Sequence, residues 1–267
     1  PSVEALEWFS RGMLAYRVGY DEAGLHFTSA LDVDDNFIEA HWMMGRVARA
    51  QRSPLVALEH LLRVTNAVPD SGQAHYYLAS TLLSLGRQEE AIEEYKTARE
   101  LSSNLRRSAD AAIIRSYQRI SQPDEAIAWG RKALAEGDED SYILQAIGRV
   151  YQETGDYARA IEYYERAMGA ATKRGATGWV WRSRQYMAES YEAMGRLDDA
   201  VQQLKLGIQA AGDRYGVPLR QALARVYERQ GKVPEAIQEW QKVLQLSQPG
   251  TDPATEARER LERLRAR

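Results

Sequence analysis

The residues of this chain best suited to metal binding or acid–base chemistry are its four histidines, His26, His41, His60 and His75. No two of them have the i, i+4 spacing of a zinc-binding helix, and no HExxH motif occurs. His41 and His75 lie 34 positions apart and correspond in the repeat described below. We therefore predict a shared packing role for these two histidines, and no metal site.

Paired carboxylates are the second candidate for chemistry. Glu89-Glu90 and Asp198-Asp199 each begin three residues after a glycine, where a helix is expected to begin. Acidic residues there interact favourably with the helix dipole, which explains them without a catalytic pair. The sequence has no P-loop, no GxGxxG after a strand, no GxSxG and no cysteine. We predict a protein that is not an enzyme and needs no cofactor.

The composition narrows the classes of partner and compartment. Hydrophobic residues make up 44% and charged residues 27%, with a net charge of -3, which is typical of a folded soluble chain and not of a nucleic-acid-binding one. No apolar run approaches the roughly 18 residues of a membrane span. The chain starts at Pro1 without a signal-like segment, so we expect a fragment or a processed product. Arg supplies 29 of the 35 basic residues, which favours a bacterial source. The cytoplasm is the favoured compartment; a periplasmic or membrane-tethered location stays open.

The elements that would position any site follow one pattern, seen most clearly in residues 147–168, IGRVYQETGDYARAIEYYERAM. Apolar and small residues recur at helical spacing before and after a break at Gly155-Asp156. The first face is formed by Leu144, Ile147, Gly148 and Tyr151, and the second by Ala160, Ile161, Tyr164, Ala167 and Met168. This predicts two helices joined by a short turn, with the tyrosines in the core and not in a binding site.

The same pattern recurs along the whole chain. Its anchoring residues are Gly12, Gly45, Ala79, Ile114, Gly148, Ala188 and Ala224, at spacings of 33, 34, 35, 34, 40 and 36. A period near 34 with this pattern resembles the tetratricopeptide repeat. The repeat signature is complete at Gly148, Tyr151, Gly155, Ala160, Tyr164 and Ala167, whereas Ile114 and Gly130 depart from it. The resemblance implies an all-α fold: a right-handed superhelical α-solenoid of antiparallel helix pairs.

Domain boundaries follow from the spacing. We predict a solenoid over residues 1–250, with seven repeats near 5–37, 38–71, 72–106, 107–140, 141–174, 181–214 and 217–250. The spacing of 40 predicts a longer, mobile loop over residues 171–179. Residues 251–267 are predicted to form a capping helix, with Asp252 as the cap, Pro253 at the first helical position and a stripe of Ala254, Ala257, Leu261 and Leu264.

The resemblance also implies where a partner would bind, because the first helix of each repeat lines a concave groove in such proteins. We number each repeat so that its anchoring residue is position eight. Position five is aromatic in the first three repeats, at Phe9, Trp42 and Tyr76. Position nine is Arg in four of seven repeats, at Arg46, Arg115, Arg149 and Arg225, and Arg49, Arg119 and Arg229 lie one turn further on. An arginine-rich chain places Arg at exposed sites in any case, so a solvated row remains the alternative.

These patterns predict a protein-binding scaffold in a bacterial multiprotein assembly. Aromatic anchors and arginines would capture a protein or peptide, with an acidic segment held by the guanidinium groups. The subset of the family that grips a chaperone's terminal carboxylate uses Lys at position five and Asn at position nine, and neither is present. The alternative is a regulatory or accessory domain of a larger enzyme or membrane protein, for example in glycan-handling or secretion machinery. The partner and the oligomeric state stay open.

Overall fold

The computed structural model of the chain describes residues 1–137 and 139–266, without the side chains of Thr177 and Arg214. These residues form helices and short connections, with no strand among them. The helices of this described part are α1 Val3–Ala15, α2 Tyr20–Val33, α3 Ile38–Ala50, α4 Pro54–Ala67, α5 Gly72–Ser84, α6 Gln88–Leu101, α7 Arg106–Arg119, α8 Pro123–Ala135, α9 Ser141–Glu153, α10 Tyr157–Lys173, α11 Thr177–Ala193, α12 Leu197–Arg229, α13 Val233–Leu246 and α14 Asp252–Arg265.

The chain divides into two compact units, Pro1–Trp129 and Gly130–Arg267. Within each unit, helices pack against the next one or two helices along the chain, which is the arrangement of an α-solenoid of antiparallel helix pairs. The predicted all-α repeat fold is confirmed. Its core consists of small and large apolar side chains in alternation, such as Ala57, Leu61, Leu78 and Ala79 in the first unit.

The turns inside the six helix pairs from the second repeat onward use a left-handed residue at position fifteen, whereas Gly19 of the first, shorter repeat is extended (φ −166°). Glycine occupies this position at Gly86, Gly155, Gly195 and Gly231, with φ between 72° and 84°. The two exceptions are Arg52 (φ 57°) and Ser121 (φ 56°). An L-residue in this region is less stable than glycine by roughly 1–2 kcal/mol, because its Cβ crowds the following carbonyl. These two turns are therefore strained in comparison with the other four.

The Ser121→Gly substitution is expected to raise the free energy of unfolding by about 1 kcal/mol, because it relieves this strain. Ser121 is exposed, and the turn bond from the Gln122 N–H to the Tyr117 carbonyl (2.9 Å) does not involve its side chain. Urea unfolding followed by circular dichroism measures the change. Ser103→Gly, at an exposed residue outside the positive-φ region, is the control and should not stabilise the protein. A loss of stability in Ser121→Gly would contradict the account of the turn.

Positions eight and twenty-four pack directly against each other where both lie in one unit. A Cβ placed on Gly148 would come within 2.6 Å of the Tyr164 ring, and one on Gly45 within 2.8 Å of Leu61. The first repeat, one residue shorter, has Gly12 against Phe27 at 2.5 Å. The small residues are therefore required by the close approach of the two helices, as the repeat pattern predicts.

The predicted loop over residues 171–179 is wrong. The additional residues extend the two flanking helices to 17 residues each, α10 Tyr157–Lys173 and α11 Thr177–Ala193, and three residues connect them. Gln145 fixes the start of α11, since its side-chain amide donates to the Trp179 carbonyl at 3.1 Å and to Ser183 Oγ at 2.7 Å. The Ala-rich end of α10 suits a helix, and the connection needs only Gly175 at positive φ (66°).

The α12 segment is interrupted once. Gly212 has φ 62° and ψ −171°, outside the helical region, so α12 consists of two helical stretches that meet at this glycine. At the end of the chain, α14 buries all four residues of its predicted apolar stripe, Ala254, Ala257, Leu261 and Leu264. Its cap is Thr251 and not the predicted Asp252, and Pro253 lies in the first turn.

A buried ion pair joins α6 to α7 in the first unit. The Arg99 guanidinium donates to Asp110 Oδ1 at 2.6 Å, and the side chains are only 9% and 2% exposed. The Trp129 indole of α8 donates to the same oxygen at 2.9 Å. Asp110 of α7 is therefore a shared acceptor for side chains of α6 and α8.

Candidate functional site

The histidines occupy a contact that recurs between positions four and twenty-three of the repeats. Each pair is 19 residues apart and joins the two helices of one repeat: His41–His60, His75–Glu94, Asp110–Trp129, Arg184–Gln203 and Arg220–Glu239. Nε2 of His41 lies 2.8 Å from the Asp35 carbonyl, and Nε2 of His75 lies 3.0 Å from the Pro69 carbonyl. The structure thus gives His41 and His75 the same packing role, as predicted.

The two imidazoles of the second repeat face each other with Nδ1 atoms 2.8 Å apart. One nitrogen must donate and the other accept, so both rings cannot be protonated without placing two N–H groups in conflict. Burial lowers the pKa of His60, and the adjacent His41 lowers it further, while Glu59 and Asp35 oppose the shift. The folded protein therefore binds protons at this site less readily than the unfolded chain.

Stability is accordingly expected to fall as the pH drops below about 6.5, the pKa of an unfolded histidine, because the unfolded chain then binds a proton that the folded pair resists. The His60→Glu substitution replaces the imidazole of lowered pKa by a carboxylate, the residue type that stands opposite the histidine in the His75–Glu94 pair. A carboxylate beside an imidazole favours its charged form. In this variant the contribution of the pair should increase with decreasing pH through the same window. Urea unfolding at pH 8 and pH 5.5 measures the difference between the two proteins, and groups common to both cancel. Equal pH dependence in both proteins would contradict this assignment.

Five residues of the first unit form one continuous surface of arginine and aromatic groups, called here the α3–α5 surface: Trp42, Arg46, Arg49, Tyr76 and Tyr77. The Arg46 guanidinium lies 6.0 Å from the Trp42 ring centroid, and that of Arg49 lies 4.4 Å from the Tyr77 ring centroid. Trp42 and Tyr77 meet edge to face, with ring centroids 5.1 Å apart. Mutual stacking orders these side chains in the absence of a partner.

Neither arginine of the α3–α5 surface makes an ion pair with a carboxylate of the described residues. Arg49 donates to Ser80 Oγ at 2.8 Å, and Arg46 contacts the Met43 sulfur at 3.6 Å. Burial lowers the pKa of the Arg49 guanidinium, because partial desolvation disfavours the charged form. The positive charges of Arg46 and Arg49 are therefore not neutralised by any carboxylate of the described residues.

A cavity of about 310 Å³ adjoins this surface, lined by Arg49, Arg52, Pro54, Thr81 and Ser84. Arg52 is the strained turn residue, and it was not among the residues selected from the sequence. Its signal in the sequence was an arginine at position fifteen, where four other repeats have glycine. Tyr16 and Ser80 were also missed as contact residues; Tyr16 stacks under Arg46 at 5.2 Å and occupies the position that corresponds to Arg49.

The other predicted site residues of this unit have different environments. Phe9 packs against Phe27 and Phe37, with ring centroids 5.5 and 4.9 Å away, so it contributes to the core. Tyr76 lies edge to face with Tyr95 at 5.1 Å. Arg115 is half-buried near Tyr95, and Arg119 is exposed. Burial, together with the adjacent Tyr76, raises the pKa of Tyr95 to about 12, although a hydrogen bond with Ser80 and the charges of Arg115 and Arg49 act in the opposite direction.

In the second unit, Arg149 and Arg225 are both paired with carboxylates. Arg149 lies 3.4 Å from Glu153 on the same helix. Arg225 makes a two-nitrogen contact with Glu256 of α14 at 2.7–3.1 Å, and Gln221 donates to the same carboxylate at 2.8 Å. The predicted arginines therefore differ in their environment. Within the described residues, Arg46 and Arg49 have no carboxylate partner, whereas Arg149 and Arg225 are each paired with one.

The part of the chain that the structure describes offers neither a metal site nor a membrane-spanning helix. No three His, Asp or Glu side chains there are placed to hold a metal ion. No helix in the same residues is long and apolar enough to cross a bilayer. The acidic pairs lie in the first turns of α6 and α12, as predicted, with Glu90 and Asp199 paired to Arg87 and Arg196.

Comparison with known proteins agrees with this architecture. Sequence models of the tetratricopeptide repeat match residues 43–106 and 139–212, together about half of the chain. This protein is a helical-repeat scaffold by its fold, and it belongs to the tetratricopeptide-repeat family. Domains of this family mediate protein–protein interaction and are typically not catalytic.

Three similar proteins illustrate the range of the family. Tetratricopeptide repeat protein 29 of Trypanosoma brucei brucei is 27% identical over an alignment of 113 residues, which covers 38% of this chain and 24% of that protein. Outer dynein arm-docking complex subunit 4 of Danio rerio is 29% identical over 127 residues, 45% of this chain and 26% of that protein. The chain thus spans about a quarter of the length of these relatives. The crystal structure of a tetratricopeptide repeat protein from Parabacteroides merdae superposes with a TM-score of 0.68, covering 99% of this chain and 100% of that one at 13% identity.

Proposed function

We propose that this protein binds an acidic protein segment on the α3–α5 surface, as one component of a bacterial multiprotein assembly. The observation that supports this proposal is the different environment of the arginines. Arg46 and Arg49 are stacked on aromatic rings without a carboxylate partner among the described residues, whereas Arg225 is satisfied by Glu256. Stacked guanidinium groups are ordered before binding, so less entropy is lost when a carboxylate pairs with them.

Trp42 and Tyr76 provide the apolar part of the contact, and the cavity beside Arg49 and Arg52 provides a place for an acidic side chain. The strained conformation of Arg52 supports this assignment. A residue kept in an unfavourable backbone conformation, where its equivalents are glycine, is consistent with a role in binding. Among the other predicted groove residues, Arg115 and Arg119 extend the positive side, while Phe9, in the core, would act indirectly.

Peptide display on the purified chain tests this function. Selected peptides should be enriched in Asp and Glu beside apolar residues, and their affinity should fall by about tenfold or more in the Arg46→Glu/Arg49→Glu variant. The matched control is Arg149→Glu/Arg225→Glu, which reverses two arginines outside this surface and should bind as the wild type does. Absence of acidic enrichment, or equal binding to the Arg46→Glu/Arg49→Glu protein, would contradict the proposal.

The Arg52→Gly variant separates binding from folding. It removes the cation at the cavity and relieves the positive-φ strain, so the protein should become more stable by about 1 kcal/mol while its peptide affinity decreases. Measurement of both quantities on one preparation excludes unfolding as the cause of weaker binding. Unchanged affinity in this variant would remove Arg52 from the site.

A further inference from the structure

A second aromatic site lies in the second unit, between the start of α11 and the break of α12 at Gly212. A cavity of about 530 Å³ is lined by Gly178, Trp179, Trp181, Arg182, Ala210, Ala211 and Tyr215. This volume is within the range of pockets that enclose small ligands or single side chains, about 300–1,000 Å³. None of these residues was selected from the sequence as a site residue, and only Arg182, at position two of its repeat, holds a position that the resemblance assigns to the groove.

The aromatic walls of this cavity are already ordered. The Trp181 and Tyr215 rings stack with centroids 5.9 Å apart and an interplanar angle of 11°. Trp179 packs against Tyr142 at 5.0 Å, and its backbone carbonyl accepts from Gln145. Walls that are held in place by neighbouring rings need little rearrangement to bind a ligand.

Three hydrogen-bond donors line the cavity: the Arg182 guanidinium and the indole N–H groups of Trp179 and Trp181. Arg182 lies over both tryptophans, with its guanidinium carbon 5.4 and 5.2 Å from the ring centroids. Within the described residues it pairs with no carboxylate, and no acceptor contacts the indole N–H of Trp179 or Trp181. Elsewhere in the chain, Trp129 and Trp240 donate their indole N–H groups to Asp110 and Glu228, at 2.9 and 2.7 Å. The walls of the cavity therefore contain a cation and two indole donors. Within the described residues they have no carboxylate of the kind that accepts from Trp129 and Trp240.

We propose that this cavity binds a peptide segment in which an aromatic side chain is followed by an acidic residue. The aromatic ring would pack against Trp181 and Tyr215, and the carboxylate would accept from Arg182 and an indole N–H. A peptide supplies both groups on consecutive residues, and the family is one that binds proteins. This site is independent of the α3–α5 surface, so either proposal can fail while the other stands.

Titration of the full chain with short capped peptides, followed by NMR or calorimetry, tests the site. A peptide containing Phe-Asp should bind about tenfold more tightly than matched peptides containing Phe-Asn or Ser-Asp, because each of these loses one of the two interactions. Arg182→Gln should lower the affinity for Phe-Asp to that for Phe-Asn and leave Phe-Asn binding unchanged. Arg182 is exposed, so this substitution is not expected to affect folding, which circular dichroism checks.

Arg11→Gln is the matched control, since Arg11 is also exposed and stacks on a tryptophan, Trp8, at 4.7 Å. At this cavity, followed through the NMR signals of the Trp179 and Trp181 indole N–H groups, it should bind Phe-Asp as the wild type does. So should Arg46→Glu/Arg49→Glu, which removes any binding of the same peptide at the α3–α5 surface. Equal binding of Phe-Asp and Phe-Asn, no effect of Arg182→Gln, or no binding at all would overturn the proposal. The last ligand to be tested is a free aromatic acid, 3-phenylpropionate. If it binds the wild-type protein as tightly as the Phe-Asp peptide does, the cavity is a site for small carboxylates and the peptide assignment is overturned.

Discussion

Replacement of Asp110 by alanine is expected to lower the free energy of unfolding by about 3–5 kcal/mol, because it removes the carboxylate that pairs with the buried Arg99 guanidinium. The loss also removes the acceptor of the Trp129 indole, so α6, α7 and α8 are all affected. Chemical denaturation followed by circular dichroism measures the change. Because folded domains are typically stable by only about 5–15 kcal/mol, this variant is expected to lose a large part of its stability.

Two comparisons make this first prediction specific. Glu93→Gln breaks the Lys96 ion pair of the same helix, in which Glu93 is 70% exposed, and should change stability by less than about 1 kcal/mol. The double variant Arg99→Met/Asp110→Leu replaces both charges by apolar groups and should be much more stable than Asp110→Ala, since the desolvated charge is gone. If the double variant were as unstable as the single one, the ion pair would not be the cause.

The second large effect is expected at Gly148. Gly148→Ile places a side chain where even a Cβ approaches the Tyr164 ring within 2.6 Å, and should destabilise the protein by about 3 kcal/mol. Tyr164 is fully buried, so the ring cannot move into solvent without loss of its own packing. Thermal or urea unfolding provides the measurement. Gly169→Ile, in α10 with open space around the added Cβ, is the control and should be close to neutral.

The fourth repeat suggests how the Gly148 defect can be repaired. There the sequence has Ile114 at position eight and Gly130 at position twenty-four, the reverse of Gly148 and Tyr164. Gly148→Ile/Tyr164→Gly copies this order into the fifth repeat. The double variant should lose less stability than the sum of the two single variants, with a coupling of about 0.5–3 kcal/mol. Simple additivity would mean that the two positions do not compensate in volume.

The repeat could be predicted from the sequence because its requirements are local. Close helix approach demands small residues at a fixed spacing, and the turn demands a left-handed residue, so Gly148 and Gly155 identify the fold without any knowledge of distant contacts. The loop over residues 171–179 could not be predicted correctly, since a longer spacing does not say whether the added residues extend the helices or the connection. The helix-forming residues at the end of α10 decided in favour of the helices.

The candidate site was predictable only in part. Periodicity selected Trp42, Arg46 and Arg49 on one face of α3 and Tyr76 at the corresponding position of α5, and the structure brings them together. It selected Arg225 by the same rule, but the partner of Arg225 is Glu256, 31 residues away on the terminal helix. Such pairing depends on the register between helices, which the spacing within one repeat does not contain. Arg52 and the cavity of Trp179, Trp181 and Arg182 lie where the sequence departs from the repeat pattern. Periodicity therefore did not select them.

The packing of each helix against its near neighbours in sequence has a kinetic consequence. Because α1 contacts α2, and α13 contacts α14, most contacts close short loops, and a low contact order favours fast folding. Such an array can begin to fold at any of several places, and can open at one end while the rest remains intact. Native-state hydrogen exchange would then show protection increasing from the terminal helices towards the interior of each unit. The α3–α5 surface would remain formed while the α14 end of the chain opens and closes.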